Sequence, residues 1–151
     1  RHASKPFPLI IGDRALLSLV VSEIGPLEEK IMDAFWPGPL TIVFKAREGL
    51  SRYIVDERST VAVRMPGRSF ALDLAERIRI PITATSANRT EMHPAKSGRE
   101  VIQYFPEGID FLIDGGESTA ETPSTILEVR AGKVRLLREG VVPLSGIESV
   151  L

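Results

Sequence analysis

Thr83-Ala84-Thr85-Ser86-Ala87-Asn88 is a run of small side chains directly after Pro81-Ile82, where a core strand would carry Val, Leu or Phe. Its hydroxyls and carboxamide can donate to phosphate or sugar oxygens, and its lack of bulk lets a ligand approach the backbone. A tight turn with Asn88 as an Asx cap is the plainer reading of the same residues. A second candidate ends a strand. In Thr60-Val61-Ala62-Val63-Arg64 the valines share one face and Thr60, Ala62 and Arg64 the other. The valine face suits a core; the second face is small and polar and ends in a guanidinium, which grips carboxylates or phosphates with two prongs. Strict alternation through Lys133-Val134-Arg135-Leu136-Leu137-Arg138 puts Arg138 on the face of Val134 and Leu136, where the apolar surface runs out. A cation there needs an anionic ligand, a carboxylate of the chain, or water reached by snorkelling. Ser124, opening a strand in Pro123-Ser124-Thr125, offers a hydroxyl to a ligand or to a loose backbone group. Strand ends that each present a small polar or cationic group suit an α/β sheet, whose ligands bind outside the ends of strands.

The elements that must hold these residues follow from periodicity. Residues 8–12 read as a buried strand ending at Gly12. Apolar positions 16, 17, 20, 21 and 24 keep helical spacing over 14–24, and Gly25-Pro26 ends that helix. Leu27, Ile31, Ala34 and Phe35 predict a second helix, closed by Trp36-Pro37-Gly38-Pro39, with the indole of Trp36 packed inward. Strands are expected at 40–45, 60–65 and 81–86, with a helix carried by Ala71, Leu74, Ala75 and Ile78 before the last of them. Ser97 and Glu100 form a capping-box pattern ahead of a helix through Phe105. Phe111–Ile113 reads as a strand turned by Asp114-Gly115-Gly116, and 124–129 with 133–137 as a hairpin around Ala131-Gly132. Alternating strands and helices followed by a hairpin predict a mixed, twisted sheet with helices packed on it.

Composition narrows the chemistry. The 19 basic and 20 acidic residues nearly cancel, so no global field draws the chain to nucleic acid or a membrane. Without cysteine there is neither a disulfide framework nor a thiolate metal site, which fits a reducing cytosol and a cytoplasmic location. Apolar runs are too short to span a bilayer. His2 and His93 are too few and too isolated for a metal triad, and the Asn88-Arg89-Thr90 sequon is a chance match in a cytosolic chain. There is no Walker A loop, GxGxxG or GxSxG, and no His close in sequence to make Ser86 a nucleophile. Residues 1–151 read as one domain. Opening on Arg1 without Met, and already in a strand by its eighth residue, the chain reads as one lacking an N-terminal piece.

Five segments in order carry a resemblance over nearly the whole chain: Phe35-Trp36-Pro37-Gly38-Pro39-Leu40-Thr41, Val61-Ala62-Val63-Arg64-Met65-Pro66, Thr85-Ser86-Ala87-Asn88, Pro123-Ser124-Thr125-Ile126 and Leu137-Arg138-Glu139-Gly140. Together they resemble the YrdC-like threonylcarbamoyl-AMP synthases. Arg1 with Lys5-Pro6 is similar to the tail of that family's Lys-x-Arg motif. The resemblance implies a YrdC-like α/β (α+β) fold, a twisted mixed sheet with packed helices around a concave cavity. It implies a nucleotidyltransferase that condenses L-threonine, bicarbonate and ATP to threonylcarbamoyl-AMP and pyrophosphate, for tRNA modification by a downstream threonylcarbamoyl transferase complex. By the same resemblance Arg1, Ser59, Ser86, Asn88 and Arg138 hold ATP, while Arg64, the backbone at Ala84 and the Ser124 hydroxyl hold threonine. The chain itself meets tRNA only indirectly or weakly.

No dedicated nucleophile is expected. The threonine amine attacks carbon dioxide or bicarbonate, and the carbamate attacks the α-phosphate; positioning and charge neutralisation by arginines and magnesium suffice. Magnesium is expected mainly on ATP oxygens, since no carboxylate cluster makes a protein cage. Two rivals stand beside this reading. The carbamoyl-adenylate domain of hydrogenase-maturation carbamoyltransferases shares the architecture. A double-stranded RNA-binding YrdC-like module without synthase activity would instead use Arg1, Lys5, Arg64 and Arg138 to track phosphates.

Overall fold

The computed structural model describes residues 6–118 and 122–151. In chain order its elements are β1 (Leu9–Ile10), a 3-10 helix (Arg14–Leu19), α1 (Pro26–Phe35), β2 (Leu40–Lys45), β3 (Thr60–Arg64), α2 (Phe70–Ile78), β4 (Ile82–Thr83), α3 (Gly98–Tyr104), β5 (Thr125–Arg130), β6 (Lys133–Arg138) and α4 (Leu144–Glu148). They fall into two compact units, one of residues 6–84 with 122–151 and one of residues 85–118.

Alternation of branched residues builds the larger unit. β2 and β3 pair antiparallel, with Ile42 opposite Val63 and Phe44 opposite Val61. Those four side chains and Leu40 are buried, as the valine face predicts. β5 runs parallel to β2 and continues into β6 through Ala131-Gly132, both at positive φ (51° and 70°), the two-residue turn whose twist suits a hairpin. β1 lies parallel to β3, and β4 caps that edge antiparallel to β1. The six-stranded mixed sheet has the order β4-β1-β3-β2-β5-β6. Its core face packs with Ile31 and Met32 of α1, Ile147 of α4 and Trp36, whose Nε1 donates to the Leu40 carbonyl at 2.8 Å. α2 is capped by Ser69, whose hydroxyl accepts from the Leu72 amide, and ends at Arg79 in the left-handed region (φ 52°).

Several boundaries differ from expectation, each for a stated reason. The helix expected over 14–24 is a 3-10 helix ending at Leu19, because the Ser22 amide donates to the Lys45 carbonyl and Val21 bridges Ala46. The strands expected at 8–12 and 81–86 shrink to two residues each, since those are the positions with ladder partners. β5 and β6 shift register between Ile126 and Leu127: Leu127 faces Leu136, but Ile126 faces Arg138. That bulge corrects the face assigned to Arg138, which lies with Arg135 on the second face and not with Val134 and Leu136.

In the smaller unit the Ser97 hydroxyl accepts from the Glu100 amide at 3.3 Å, as a capping box requires. The reciprocal bond is displaced by one residue: Glu100 Oε2 accepts from the Lys96 amide at 2.7 Å. Phe111–Ile113, expected as a strand, has no ladder partner among the described residues and is open to solvent, Phe111 at 91%.

Candidate functional site

Strand direction gathers several of the singled-out residues at one end of the sheet. β3 and β6 finish there with Arg64 and Arg138; β2 and β5 begin there with Leu40-Thr41 and, just before Thr125, Ser124. Registers also decide the face. Extending the β2–β3 pairing by one step sets Thr41 opposite Arg64, Thr41 is level with Ile126, and Ile126 faces Arg138. Arg64, Thr41, Ser124 and Arg138 therefore share the face opposite the core.

Two loops fix the ends. Thr125 is locked on both sides: its hydroxyl donates to the Val142 carbonyl (2.7 Å) and accepts from the Val142 amide (3.0 Å), while its own amide donates to the Pro39 carbonyl (3.0 Å). Gly140 lies so close to Pro123, Ser124 and Thr125 that a Cβ there would collide with their backbone atoms. On the other flank the Gly38 amide donates to the Met65 carbonyl at 2.9 Å, tying the Trp36-Pro37-Gly38-Pro39 turn to the end of β3.

Within this frame Arg138 lies over Ser124. Its Nε donates to the Ser124 carbonyl at 3.0 Å, and its Nη2 to the same carbonyl at 2.5 Å and to the Ser124 hydroxyl at 3.0 Å. The Ser124 hydroxyl also lies 3.0 Å from that of Thr41. Arg138 thus has oxygen partners but no carboxylate. Arg64 is half-buried and, among the described residues, has neither a side-chain hydrogen bond nor an ion pair. Burial lowers the pKa of both guanidiniums, and the positive charge of Arg138 lowers that of Arg64 further. The two strands are about 14 Å apart across the sheet at about 4.8 Å per step, a gap that the long side chains shorten until one charge is felt at the other. Arg64 is half-buried and Arg138 exposed, and among the described residues neither is paired with an acid, a combination suited to an anion.

The remaining singled-out residues lie elsewhere. Ala84 stands level with Pro8, to whose carbonyl its amide donates at 2.8 Å, leaving its own carbonyl for other partners. Ser59, at positive φ in the turn before β3, is at the opposite end of that strand, about 17 Å from Arg64 at about 3.3 Å per residue. The structure does not bring Ser59 to the Arg64 end. Ser86 and Asn88 belong to the smaller unit. There the Ser86 hydroxyl donates to Asn88 Oδ1 at 2.5 Å, and Asn88 Nδ2 donates to the carbonyls of Arg89 and Met92, both at 3.0 Å. Among the described residues no backbone amide donates to Asn88 Oδ1, so the expected Asx cap is not formed; the turn is held instead by the Asn88 side-chain amide, and Ser86 is exposed. Arg1 and Lys5 lie outside the described residues. A depression of about 820 Å³ between Arg14 and Glu48 is remote from the chemistry, and Arg14, Lys45 and Arg47 on its wall are already bonded to Asp33, Glu23 and the Ser18 carbonyl.

Two residues went unnoticed in the sequence. Thr41 figured only as the end of a motif, although a lone hydroxyl between Leu40 and Ile42 is a signal in itself. Glu128, 5% exposed on β5, was lost among the acidic residues; it accepts from Arg58 at 3.1 Å and from Arg135 at 3.3 Å.

The six-stranded mixed sheet with its packed helices defines the fold class. The chain belongs to the Sua5/YciO/YrdC family, whose model, described as telomere recombination, matches residues 1–140. It is 37% identical over 151 residues to the threonylcarbamoyl-AMP synthase of Pyrococcus abyssi, covering 100% of this chain and 44% of that protein. With the threonylcarbamoyl-AMP synthase of Idiomarina loihiensis it shares 31% identity over 129 residues, 84% of this chain and 69% of the relative. The crystal structure of P. abyssi Sua5 complexed with L-threonine superposes with a TM-score of 0.92 at 37% identity, over 100% of this chain and 44% of that one. Escherichia coli YciO shares the fold, with a TM-score of 0.82 at 22% identity over 95% of this chain and 70% of its own. The chain therefore spans less than half the length of the Pyrococcus relative it matches.

Proposed function

We propose that the chain is the YrdC-like domain of an L-threonylcarbamoyladenylate synthase, a nucleotidyltransferase that joins L-threonine, bicarbonate and ATP and releases pyrophosphate. One observation carries this reading: Arg64 and Arg138 finish two separate strands at the same end and on the same face of the sheet, and among the described residues neither is paired with a carboxylate. A relative's structure holds L-threonine, and two relatives bear the name of the synthase, which supports the choice of anion.

Arg64 is the group for the threonine carboxylate, because among the described residues it alone of the pair has no protein acceptor. Ser124 adds a neutral donor on the same face, and the backbone carbonyl of Ala84 suits the amine. The amine attacks carbon dioxide or bicarbonate to give a carbamate. A carbamate oxygen then attacks the α-phosphorus of ATP as the bond to pyrophosphate breaks. Arg138, held by Ser124 at the end of β6, faces the charge that gathers on the phosphates. The family resemblance also assigns Arg1, Ser59, Ser86 and Asn88 to the nucleotide. Magnesium enters only on the nucleotide's oxygens: among the described residues no three His, Asp or Glu side chains come together to hold an ion, and no step above runs through one. No helix among the described residues is long and apolar enough to cross a membrane. A cytoplasmic location, a downstream threonylcarbamoyl transferase complex and an indirect relation to tRNA complete the proposal.

The test is pyrophosphate release from ATP with L-threonine and bicarbonate supplied singly and together. Release that needs both supports the synthase. Salt-sensitive binding of double-stranded RNA with no turnover would replace it with the RNA-binding alternative.

A further inference from the structure

Thr41 is 4% exposed, and among the described residues its hydroxyl has one partner, Ser124 Oγ at 3.0 Å. Either oxygen could donate by distance alone, but the rest of the network removes the ambiguity. Arg138 Nη2 can only donate, so it occupies one lone pair of Ser124 Oγ. If Ser124 gave its proton to Thr41, the buried Thr41 proton would be left without an acceptor, which folded proteins avoid. If Thr41 gives its proton to Ser124, both Ser124 lone pairs are filled and the buried Thr41 donor is satisfied. The Ser124 proton is then free, on a residue only partly buried, to point away from both neighbours.

We propose that Thr41 is a positioning residue that orients the Ser124 hydroxyl as a dedicated donor, turning the two-arginine site into a three-donor receptor for a carboxylate or phosphate. This rests on the synthase reading for the identity of the ligand but not for the polarity of the hydroxyl. Without Thr41, Ser124 Oγ keeps a vacant lone pair, and its proton rotates among alternatives. Arg138 keeps its two bonds to the Ser124 carbonyl. The effect is therefore expected on ligand affinity and not on the placement of Arg138.

The experiment is calorimetric titration of the whole chain with L-threonine and, separately, with inorganic pyrophosphate, comparing wild type, Thr41→Val, Thr41→Ser, Ser124→Ala and the Thr41→Val/Ser124→Ala double variant. Thr41→Val, nearly isosteric, should weaken binding about tenfold, the scale of one hydrogen bond at a desolvated site. Thr41→Ser should restore it to within about twofold. The double variant should bind no worse than Ser124→Ala alone, because the two residues act as one device. Unchanged affinity in Thr41→Val, no rescue by serine, or independent losses in the double variant would each overturn the proposal. Should wild type bind pyrophosphate but not L-threonine, the synthase reading falls and the pyrophosphate series alone judges Thr41. Binding of neither ligand overturns both.

Discussion

Two pairs of arginines gather against the second face of the sheet, and they differ in what lies between them. Arg58 and Arg135 converge on Glu128, whose side chain is 6% exposed, at 3.1 and 3.3 Å. Arg64 and Arg138 have no acid partner among the described residues, and burial, then the charge of Arg138, lowers the pKa of Arg64. Both pairs use the same residue type, Arg58 from the turn before β3 and the other three from strands. The first is complete within the chain and serves the fold. The second, open pair has no acid among the described residues, and in the proposed function an anionic ligand supplies the missing charge. Residue type and face do not mark a site; a missing counter-ion does.

The largest expected effect tests whether the open pair depends on its backbone frame. Gly140→Ala drives a Cβ into the backbone at Ser124 and is expected to cost about 3 kcal/mol in urea unfolding, because backbone cannot yield as a side chain can. An unchanged midpoint would show that the frame tolerates displacement. Next comes the open pair itself. Arg64→Ala is expected to lower threonine-dependent pyrophosphate release about a hundredfold, mostly through threonine KM, as loss of a charge-assisted bidentate grip requires. ATP binding by the same variant should change little. Equal threonine affinity in wild type and variant would remove Arg64 from its role.

The closed pair should respond with the opposite balance. Glu128→Gln leaves Arg135 without its carboxylate and Arg58 with Asp56 alone, and is expected to destabilise the fold by about 1 kcal/mol, moderated because both arginines reach solvent. Its effect on threonine affinity should be slight. Arg64→Met, by contrast, removes a desolvated and repelled charge, so its unfolding free energy should equal or exceed that of wild type. If both variants shifted stability the same way, the distinction between open and closed pairs would collapse.

The smallest effect lies at the far end of β3. Burial alone would raise the Asp56 carboxyl, but hydrogen bonds from Thr60 and Arg58 outweigh it and hold the pKa below 3.8. A carboxylate depressed in the folded state stabilises above its unfolded pKa, and that stability is lost as pH falls through the folded value. Acid titration of Asp56→Asn should therefore show a shallower fall in stability below pH 3.8 than wild type, with no change in ligand affinity.

Much of this was legible from local patterns. The alternation in Thr60–Arg64 named both the core valines and the arginine on the opposite face, and helical spacing located α1 and α2 within a residue or two. Side-chain period is a property of the chain itself, so sequence suffices to read it. The shrinking of 81–86 to a two-residue strand was not legible, because strand length is decided by the neighbour that supplies hydrogen bonds. The 14–24 segment obeyed helical spacing and still left the helix at Leu19, since Ser22 found a better partner in Lys45.

Arg138 shows the boundary most clearly. Its presence near a strand end, and its need for a partner, were written in the residues. Its face was not: the register shift at Ile126 turns it from the side of Leu136 to the side of Arg64. A bulge is a choice made between two strands, and neither strand alone encodes it. The same holds for Thr41, Ser124 and Arg138, which are 83 and 14 residues apart in successive steps and become one hydrogen-bonded chain only when parallel and antiparallel pairings are both in place. The sequence thus determined which groups could receive an anion, because charge and period are local; the tertiary structure decided which of them face one another, because pairing and counter-ions are not.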